Sequence, residues 1–340
     1  MARLTGVGRL VLKRLLLLIP LLLGLTILTF LLIRVGGSNP ATLIVGPTAG
    51  DAEIAAVEEE LGLDQPVLVQ YGRYLQGALT GDLGESWVTG RPVVEELRER
   101  LPITLELVTT AMVAAAVVGT AIGFVSAMNH HGPADQVLRS YTLLGVSIPV
   151  FWLGLLLILV FFVFAGVAPA PTGRLDLFTP PAEPITHAPL LDSVLRGNWA
   201  AFSSILHHMM LPVIALSITS GSAIAKQTRA LVLEVRSSPR VRYARACGLG
   251  RRQVWGVVLR NALPGIVTFV AIAYSLSLGG SALLELIFSW GGMGSFGINA
   301  ITRADFAVVQ AYVLSMGVIA AAVYLVSDLV VAAIDPRVTL

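Results

Sequence analysis

The sequence predicts an all-α integral membrane protein with six transmembrane helices and a small external helical subdomain after the first of them. Of the 340 residues, 55% are hydrophobic and only 13% are charged, whereas soluble domains carry roughly 25% charged residues. Long charge-free apolar stretches recur along the chain, and the charged residues fall in blocks between them. Because the net charge is only +2, nucleic acid is not an expected partner, whereas membrane lipid is.

The apolar stretches set the number of spans. A bilayer core of roughly 30 Å needs about 20 helical residues, and the predicted spans are 15–33, 103–128, 140–166, 201–225, 261–284 and 306–333. The third apolar run continues to Gly173. Pro169 and Pro171 lack backbone N–H donors, so we expect that helix to end near Gly166, and the run does not accommodate two spans.

The first span has an alternative interpretation as a signal peptide, since Arg9, Lys13 and Arg14 precede its apolar run. The run is longer than the apolar region of about 7–15 residues in such peptides. Residues 36–39 offer no Ala-x-Ala cleavage site. We therefore expect the first span to be retained.

The distribution of basic residues predicts the orientation. Segment 226–260 holds nine basic residues and one acid, Glu234, and basic loops stay in the cytoplasm. Placing those nine charges in lipid would cost about 2.5–3.5 kcal/mol each. Alternation then puts the termini, 1–14 and 334–340, and the turn 129–139 in the cytoplasm.

The outer segments under this orientation are 34–102, 167–200 and 285–305. The first holds eleven acids and five basic residues and is long enough to fold. Cap and proline signals predict three helices in it: one from Asp51 to a stop at Gly62, one starting at Asp64 and Pro66, and one opening at Pro92. The second carries six prolines and is expected to be irregular.

The third outer segment contains Gly292, Gly294 and Gly297 at the spacing of a dinucleotide-binding G-x-G-x-x-G motif. No strand precedes them, so the motif is better interpreted as a sharp turn. In that turn the glycines would let Trp290, Met293 and Phe296 pack at the membrane interface.

Glu285 is the candidate pathway or gating residue, because an acid at the outer end of a span is costly unless it is paired or hydrated. His207 and His208 are adjacent, as are His130 and His131, so neither pair has the i, i+4 spacing of a helical metal site. No phosphate-binding G-x-x-x-x-G-K-[ST] motif occurs, and Cys247 is the single cysteine. We expect no catalytic, cofactor-binding or metal-binding residue, and hence a chain that is not an enzyme.

The basic segment 226–260 contains a predicted short helix. Ser238 suits the N-cap, Pro239 the first helical position and Gly248 a left-handed C-terminal cap, which leaves about two turns over 240–247. On charge alone, this helix could equally be a basic segment that contacts anionic lipid headgroups.

The same residues resemble the coupling loop of binding-protein-dependent ABC importers, whose permeases carry a Glu-Ala-Ala-x-x-x-Gly signature. Ala244 and Gly248 keep that general pattern, and Arg242 and Tyr243 occupy the preceding matching positions. Longer stretches resemble the first, B-type, permease of the dipeptide, oligopeptide and nickel branch. They run in family order and are 61–66 (LGLDQP), 81–84 (GDLG), 100–102 (RLP), 151–154 (FWLG), 244–249 (ARACGL), 259–264 (LRNALP) and 335–337 (DPR).

The resemblance implies a type I permease fold in the bacterial inner membrane. The implied partners are a second homologous permease, two ATPase subunits or one fused ATPase chain, and an extracytoplasmic substrate-binding protein. ATP and Mg would be bound by the ATPases. The implied ATPase-coupling residues are Arg242, Tyr243, Ala244, Arg245, Ala246, Gly248 and Leu249, and we expect Tyr243 to be the main contact. Cys247 and the long loop 167–200 depart from the family pattern.

The substrate implied by the resemblance is a di- or oligopeptide, and nickel chelates, glutathione, haem and sugars stay open because the branch handles all of these. Two other classes of membrane protein fit the sequence less well. An ion-coupled secondary transporter would need ionisable groups near the bilayer midplane, which the charge-free central parts of the six spans lack. A membrane anchor for an external domain would not need six spans.

Overall fold

The computed structural model describes residues 2–35, 40–46, 49–60 and 62–334. The predictions that fall on 36–39, Leu61 and 335–340 lie outside these residues. The helices are α1 (Ala2–Val35), α2 (Pro40–Val45), α3 (Asp51–Glu60), α4 (Val67–Thr80), α5 (Val93–Met128), α6 (Pro133–Ser147), α7 (Val150–Leu157) with a π-helical continuation (Ile158–Phe164), α8 (Pro189–Leu195), α9 (Trp199–Ser237), α10 (Pro239–Ala246), α11 (Arg251–Ile287), α12 (Met293–Thr302) and α13 (Phe306–Ile334).

Five of these helices are long and apolar enough to cross a bilayer: Val11–Leu31 within α1, and α5, α9, α11 and α13. The bent pair formed by α6 and α7 with its continuation makes a sixth candidate. Within the described residues the only β pairing is an isolated bridge between Glu85 and Pro92. The all-α membrane fold is therefore confirmed, with five helical spans and the bent pair as the sixth candidate.

The third span differs from the single helix predicted over 140–166. The chain bends by 102° between α6 and α7. Pro149 occupies the N-cap position of α7, and the preceding Ile148 is extended, with φ −87° and ψ 123°. A residue before proline avoids helical geometry and proline lacks an N–H donor, so the helix breaks there. The segment ends at Phe164, close to the predicted stop at Gly166, which has φ +65°.

Other helix boundaries also differ from the prediction. The helix opened at Pro92 does not stop inside 34–102, because α5 continues through Pro102 to Met128. Segment 226–260 is mostly helical, since α9 extends to Ser237 and α11 begins at Arg251. Hydropathy marks the apolar part of a helix and not its polar extensions, which explains these errors.

The outer segments 167–200 and 285–305 are also more ordered than expected. The first contains α8, and the second contains the ten-residue helix α12. Trp290 and Met293 are almost wholly buried in the protein, so the prediction that they pack at the membrane interface is wrong. The glycines nearby allow helices to approach closely, and this places the aromatic side chains inside.

The external helix α4 packs on the outer part of α1. The Phe30 and Tyr71 rings lie 5.4 Å apart in an edge-to-face arrangement, and the Tyr71 hydroxyl lies 3.0 Å from Oγ1 of Thr26. Burial raises the pKa of the neighbouring Tyr74 to about 12. These contacts connect the small external subdomain to the first span.

The centre of the bundle is the pair α5 and α9, which makes the most extensive helix contact. A Cβ atom added at Gly119 would meet the backbone of Gly221. One added at Gly123 would meet the carbonyl oxygen of Ala225 and the Cβ of Thr228. Small residues allow this approach, and dispersion forces favour it in lipid, where apolar burial drives no association.

We expect Gly123→Ala to destabilise the protein, because the added methyl group would overlap α9 and overpacking costs about 1–3 kcal/mol. Gly256→Ala is the matched control, since that helical glycine has open space around its Cβ position. Thermal unfolding in detergent, followed by size-exclusion chromatography, should give a lower Tm for Gly123→Ala and an unchanged or higher Tm for Gly256→Ala. Equal Tm values would contradict close packing at Gly123.

Candidate coupling segment and the polar networks around it

The short helix α10 is terminated as the sequence predicts at its C-terminal end. Gly248 has φ +76°. Its N–H donates to the carbonyl of Arg245 at 3.0 Å, and the N–H of Leu249 donates to the carbonyl of Ala244 at 3.3 Å. This pair of bonds is the Schellman motif, which occupies carbonyls that a helix end otherwise leaves unpaired.

The N-terminal end agrees with the prediction in position only. Ser238 is the N-cap residue and Pro239 the first helical residue. The Ser238 side chain makes no capping hydrogen bond, and its hydroxyl is buried without a partner within the described part of the chain. The helix therefore begins at Pro239 because proline fixes its φ, and the serine hydroxyl contributes little.

One face of α10 packs against the bundle. Val241 and Ala244 are buried, and Val241 joins an apolar cluster with Val232 of α9 and Val258 of α11. Nη1 of Arg240 donates to the side-chain oxygen of Asn261 at 2.8 Å, which connects α10 to α11 a second time. Two apolar contacts and this hydrogen bond fix the helix relative to both spans that flank it.

The opposite face of α10 is exposed. Tyr243 is 74% exposed and Leu249 is 39% exposed, and Arg242, Arg245 and Ala246 are exposed as well. Of the predicted coupling residues, Ala244 alone has its side chain against the protein's own core. An exposed aromatic flanked by arginines has the composition of a protein contact site.

A polar network that the sequence analysis missed lies near the same end of the bundle. Nε and Nη2 of Arg229 each donate to a carboxylate oxygen of Asp135 at 2.8 Å. The Ser126 hydroxyl donates to that carboxylate at 2.5 Å and the His131 N–H at 3.1 Å. The network joins α5, α6 and α9. Its two charged members are 94 residues apart, so local patterns could not pair them.

Glu285 lies at the other end of the bundle and is wholly buried. The Thr104 hydroxyl donates to one of its carboxylate oxygens at 2.7 Å, and the Ser295 N–H donates to the other at 3.1 Å. Thr104 also accepts from the Met293 N–H at 2.8 Å. Glu285 thus connects α5 and α11 to the first turn of α12. The pathway role of Glu285 stays a prediction.

A charged cluster surrounds the start of α5. Glu96 is almost wholly buried and lies 2.6 Å from Nε of Arg100 and 3.4 Å from Nη1 of Arg91. The Arg100 guanidinium also stacks 4.6 Å above the Phe296 ring of α12. These contacts hold α12 against α5, and they explain why α12 is an ordered helix and not an open turn.

Hydrogen bonds to acidic side chains hold the loop 167–200 in place, both against the bundle and within itself. The Glu106 carboxylate of α5 accepts from the N–H groups of Leu190 and Leu191 at 3.0 and 2.9 Å. Burial alone would raise the pKa of Asp192, but hydrogen bonds from the Thr186 hydroxyl and backbone N–H hold that pKa below its usual range. His208, which lies beside this loop, is buried with Nδ1 2.9 Å from the carbonyl of Ser204.

Two family models match this chain. The binding-protein-dependent transport system inner membrane component matches residues 119–340, and the N-terminal part of the membrane component of such systems matches residues 7–108. The chain therefore belongs to the family of binding-protein-dependent transport system inner membrane components, the permease subunits of ABC importers. The exposed, capped helix α10 lies in the larger of the two matched regions.

Individual relatives align along nearly their whole length. A probable D,D-dipeptide transport system permease protein of Escherichia coli strain K12 is 37% identical, and the alignment covers 93% of each chain. A dipeptide transport system permease protein of Alkalihalophilus pseudofirmus is 38% identical over 96% of this chain and 98% of its own. A glutathione transport system permease protein of Salmonella paratyphi A is 35% identical over the same shares.

Glu285→Ala should lower stability, because it leaves the buried Ser295 N–H and the Thr104 hydroxyl without their acceptor, at about 1–3 kcal/mol for each unmade bond. Glu285→Gln keeps an acceptor and should lower stability less. The measurement is Tm alongside transport per folded protein. A structural role predicts that transport follows the amount of folded protein; a fall in transport for Glu285→Gln at unchanged Tm would instead support the pathway prediction.

Proposed function

We propose that this chain forms half of the translocation pathway of an ATP-driven importer of di- or oligopeptides in the bacterial inner membrane. It pairs with a second homologous permease and binds two ATPase subunits, or one fused ATPase chain, on the side of α10. Substrate arrives on the opposite side from a binding protein. Family membership supports the permease role, and the geometry of α10 supports the site of ATPase contact.

The observation that carries the proposal is the two-sided character of α10. Val241 and Ala244 are buried against the protein's own spans, while Tyr243 is 74% exposed at the centre of the other face. A surface helix of eight residues would be marginal alone. Packing, the arginine–asparagine hydrogen bond and the Schellman motif make it rigid, so a partner that moves α10 also moves the spans.

The proposed force path follows these contacts. An ATPase that holds Tyr243 and Arg242 would displace α10 as a unit when nucleotide closes the ATPases. The motion would pass through Val241 to α9 and α11, and from α9 to α5 across the close contact at Gly123. Rigid-body movement of packed helices is an established way to convert a local binding event into a change of access.

The proposal also includes the orientation of the chain in the membrane and the location of ATP binding. The basic flanks of α10 favour the cytoplasmic side for that helix, and alternation of the six proposed spans would then put both termini on the same side. ATP and Mg are proposed to bind only to the partner ATPases, and this chain then makes and breaks no covalent bond. Its contribution is a pathway and a mechanical connection.

Peptide is the favoured substrate because two of the relatives above are named for dipeptide or D,D-dipeptide transport. The relative named for glutathione transport is almost as similar, so glutathione, itself a tripeptide, is the leading alternative. Nickel chelates, haem and sugars remain alternatives with no relative among those described to favour them.

Tyr243→Asp should detach the ATPases, because it replaces an exposed aromatic contact with a charge that must be desolvated in the interface. Tagged protein is purified from detergent-solubilised membranes, and its partners are identified by mass spectrometry. We expect at least about tenfold less ATPase with the second permease retained, which corresponds to about 1.4 kcal/mol of binding free energy.

Two control variants accompany this experiment, one at the same position and one at a distant exposed position. Tyr243→Phe keeps the ring and should retain the ATPases. Gln76→Asp adds the same charge at an exposed position of α4 and should have no effect. ATPase that stays bound to the Tyr243→Asp protein would exclude α10 as the docking site.

The substrate is tested separately in cells that lack the native gene and require an amino acid supplied only as a dipeptide. Wild-type protein should restore growth on the dipeptide, and unlabelled dipeptide should compete with uptake of a labelled one. Restoration of glutathione uptake without dipeptide uptake would support the alternative substrate and reject the favoured one.

A further inference from the structure

A cavity of about 380 Å³ lies behind α10, between the ends of α5 and α9 and the start of α11. Its charged lining residues are Arg236, Arg245 and Arg251, and its apolar lining residues include Met128 and Trp255. Tyr243, the proposed ATPase contact, does not line it. Arg245 and Leu249 of the exposed face do line it, so the cavity adjoins that face without including its aromatic contact.

The three arginines have no carboxylate partner among the residues that the structure describes. Arg236 is the most constrained: its guanidinium lies 5.5 Å from the Trp255 ring, and its Nη1 lies 3.4 Å from the carbonyl of Ala127. Elsewhere in the described structure, Arg229, Arg91 and Arg100 each pair with a carboxylate. Three positively charged residues that line one opening favour an anion there.

The position of the cavity restricts the kind of anion. Met128 is the last residue of the span α5, and Arg251 is the first residue of α11. Trp255 lies one turn further along α11 and packs edge-to-face on Phe124, with ring centroids 5.6 Å apart. Tryptophan is enriched where spans leave the bilayer. The charged wall therefore lies where the span α5 ends, and the apolar wall leads back along that span to Phe124.

We propose that this cavity binds the phosphate headgroup of an anionic phospholipid from the cytoplasmic leaflet. The guanidinium groups would hold the phosphate, since arginine matches phosphate oxygens with paired N–H donors. The glycerol and the upper acyl carbons would lie along Trp255 and Met128. Basic pockets between transmembrane helices on the cytoplasmic side are typical sites for such headgroups.

The site would link lipid to coupling, because Arg245 belongs to α10 while Arg236 and Arg251 belong to α9 and α11. One headgroup then bridges all three elements at the end of the bundle. It would neutralise charges that otherwise repel one another and would hold α10 more firmly against the spans.

The test compares two triple variants in the assembled importer, purified in detergent. One removes the cavity charges (Arg236→Gln, Arg245→Gln and Arg251→Gln). The matched control removes three exposed basic residues of the segment 226–260 that do not line the cavity (Lys226→Gln, Arg252→Gln and Arg260→Gln). Each is titrated with phosphatidylglycerol, phosphatidylethanolamine or inorganic phosphate. Native mass spectrometry then counts bound lipid and retained ATPase.

We expect wild type and control to retain phosphatidylglycerol but not phosphatidylethanolamine, and the cavity variant to bind it about tenfold to a hundredfold more weakly. The single variant Arg245→Gln should lose less phosphatidylglycerol binding than the triple variant. Because Arg245 is exposed, this single variant keeps the test valid if the triple variant does not fold. Equal phosphatidylglycerol binding by both triple variants would overturn the proposal. Displacement of the lipid by inorganic phosphate at comparable concentration would also overturn it, because the ligand would then be a soluble anion. Loss of ATPase from the cavity variant with unchanged lipid binding would overturn it as well, because the cavity would then bind an acidic segment of the ATPase.

Discussion

The close contact between α5 and α9 is the constraint on which the rest of the structure depends. Glycines at 119, 123 and 221 bring the two backbones together, and the Ser217 hydroxyl of α9 donates to the carbonyl of Ala111 on α5 at 2.9 Å. In a bilayer, such contacts replace the burial of apolar surface as the source of helix association. The α6–α7 pair and α11 pack on these two helices, α13 packs on α11, and α1 packs on α13. Helix α9 also contacts α10.

Buried polar networks hold the ends of the bundle where the glycine contact does not reach. Asp135, with Ser126 and Arg229 as donors, joins α5, α6 and α9 at one end. Glu285 with Thr104 joins α5, α11 and α12 at the other. Both carboxylates have several donors, which offsets the cost of burying them. The bundle is therefore fixed at both ends, and a force applied at α10 would move helices as bodies and not bend them locally.

Much of the fold could be predicted from the sequence because its signals are local. Apolar runs gave the spans, and Pro239 with Gly248 gave the position of α10. The bend at Pro149 was missed because the apolar run continues across it, although the proline itself was the available signal. The pairing of Asp135 with Arg229 had no local signal, since the two residues meet only after the bundle forms. The exposure of Tyr243 and the burial of Ala244 likewise needed the packed structure.

The central claim is that the exposed face of α10 is covered by an ATPase in the assembled importer. Cys247, the single cysteine of the chain, is exposed directly after this helix, so alkylation by a membrane-permeant maleimide in inside-out membrane vesicles reports on that surface without mutation. The account predicts rapid labelling when the ATPases are absent and strong protection when they are present, while a Gln76→Cys reporter in a Cys247→Ser background is unaffected by the ATPases. Equal labelling of Cys247 in both states would contradict it.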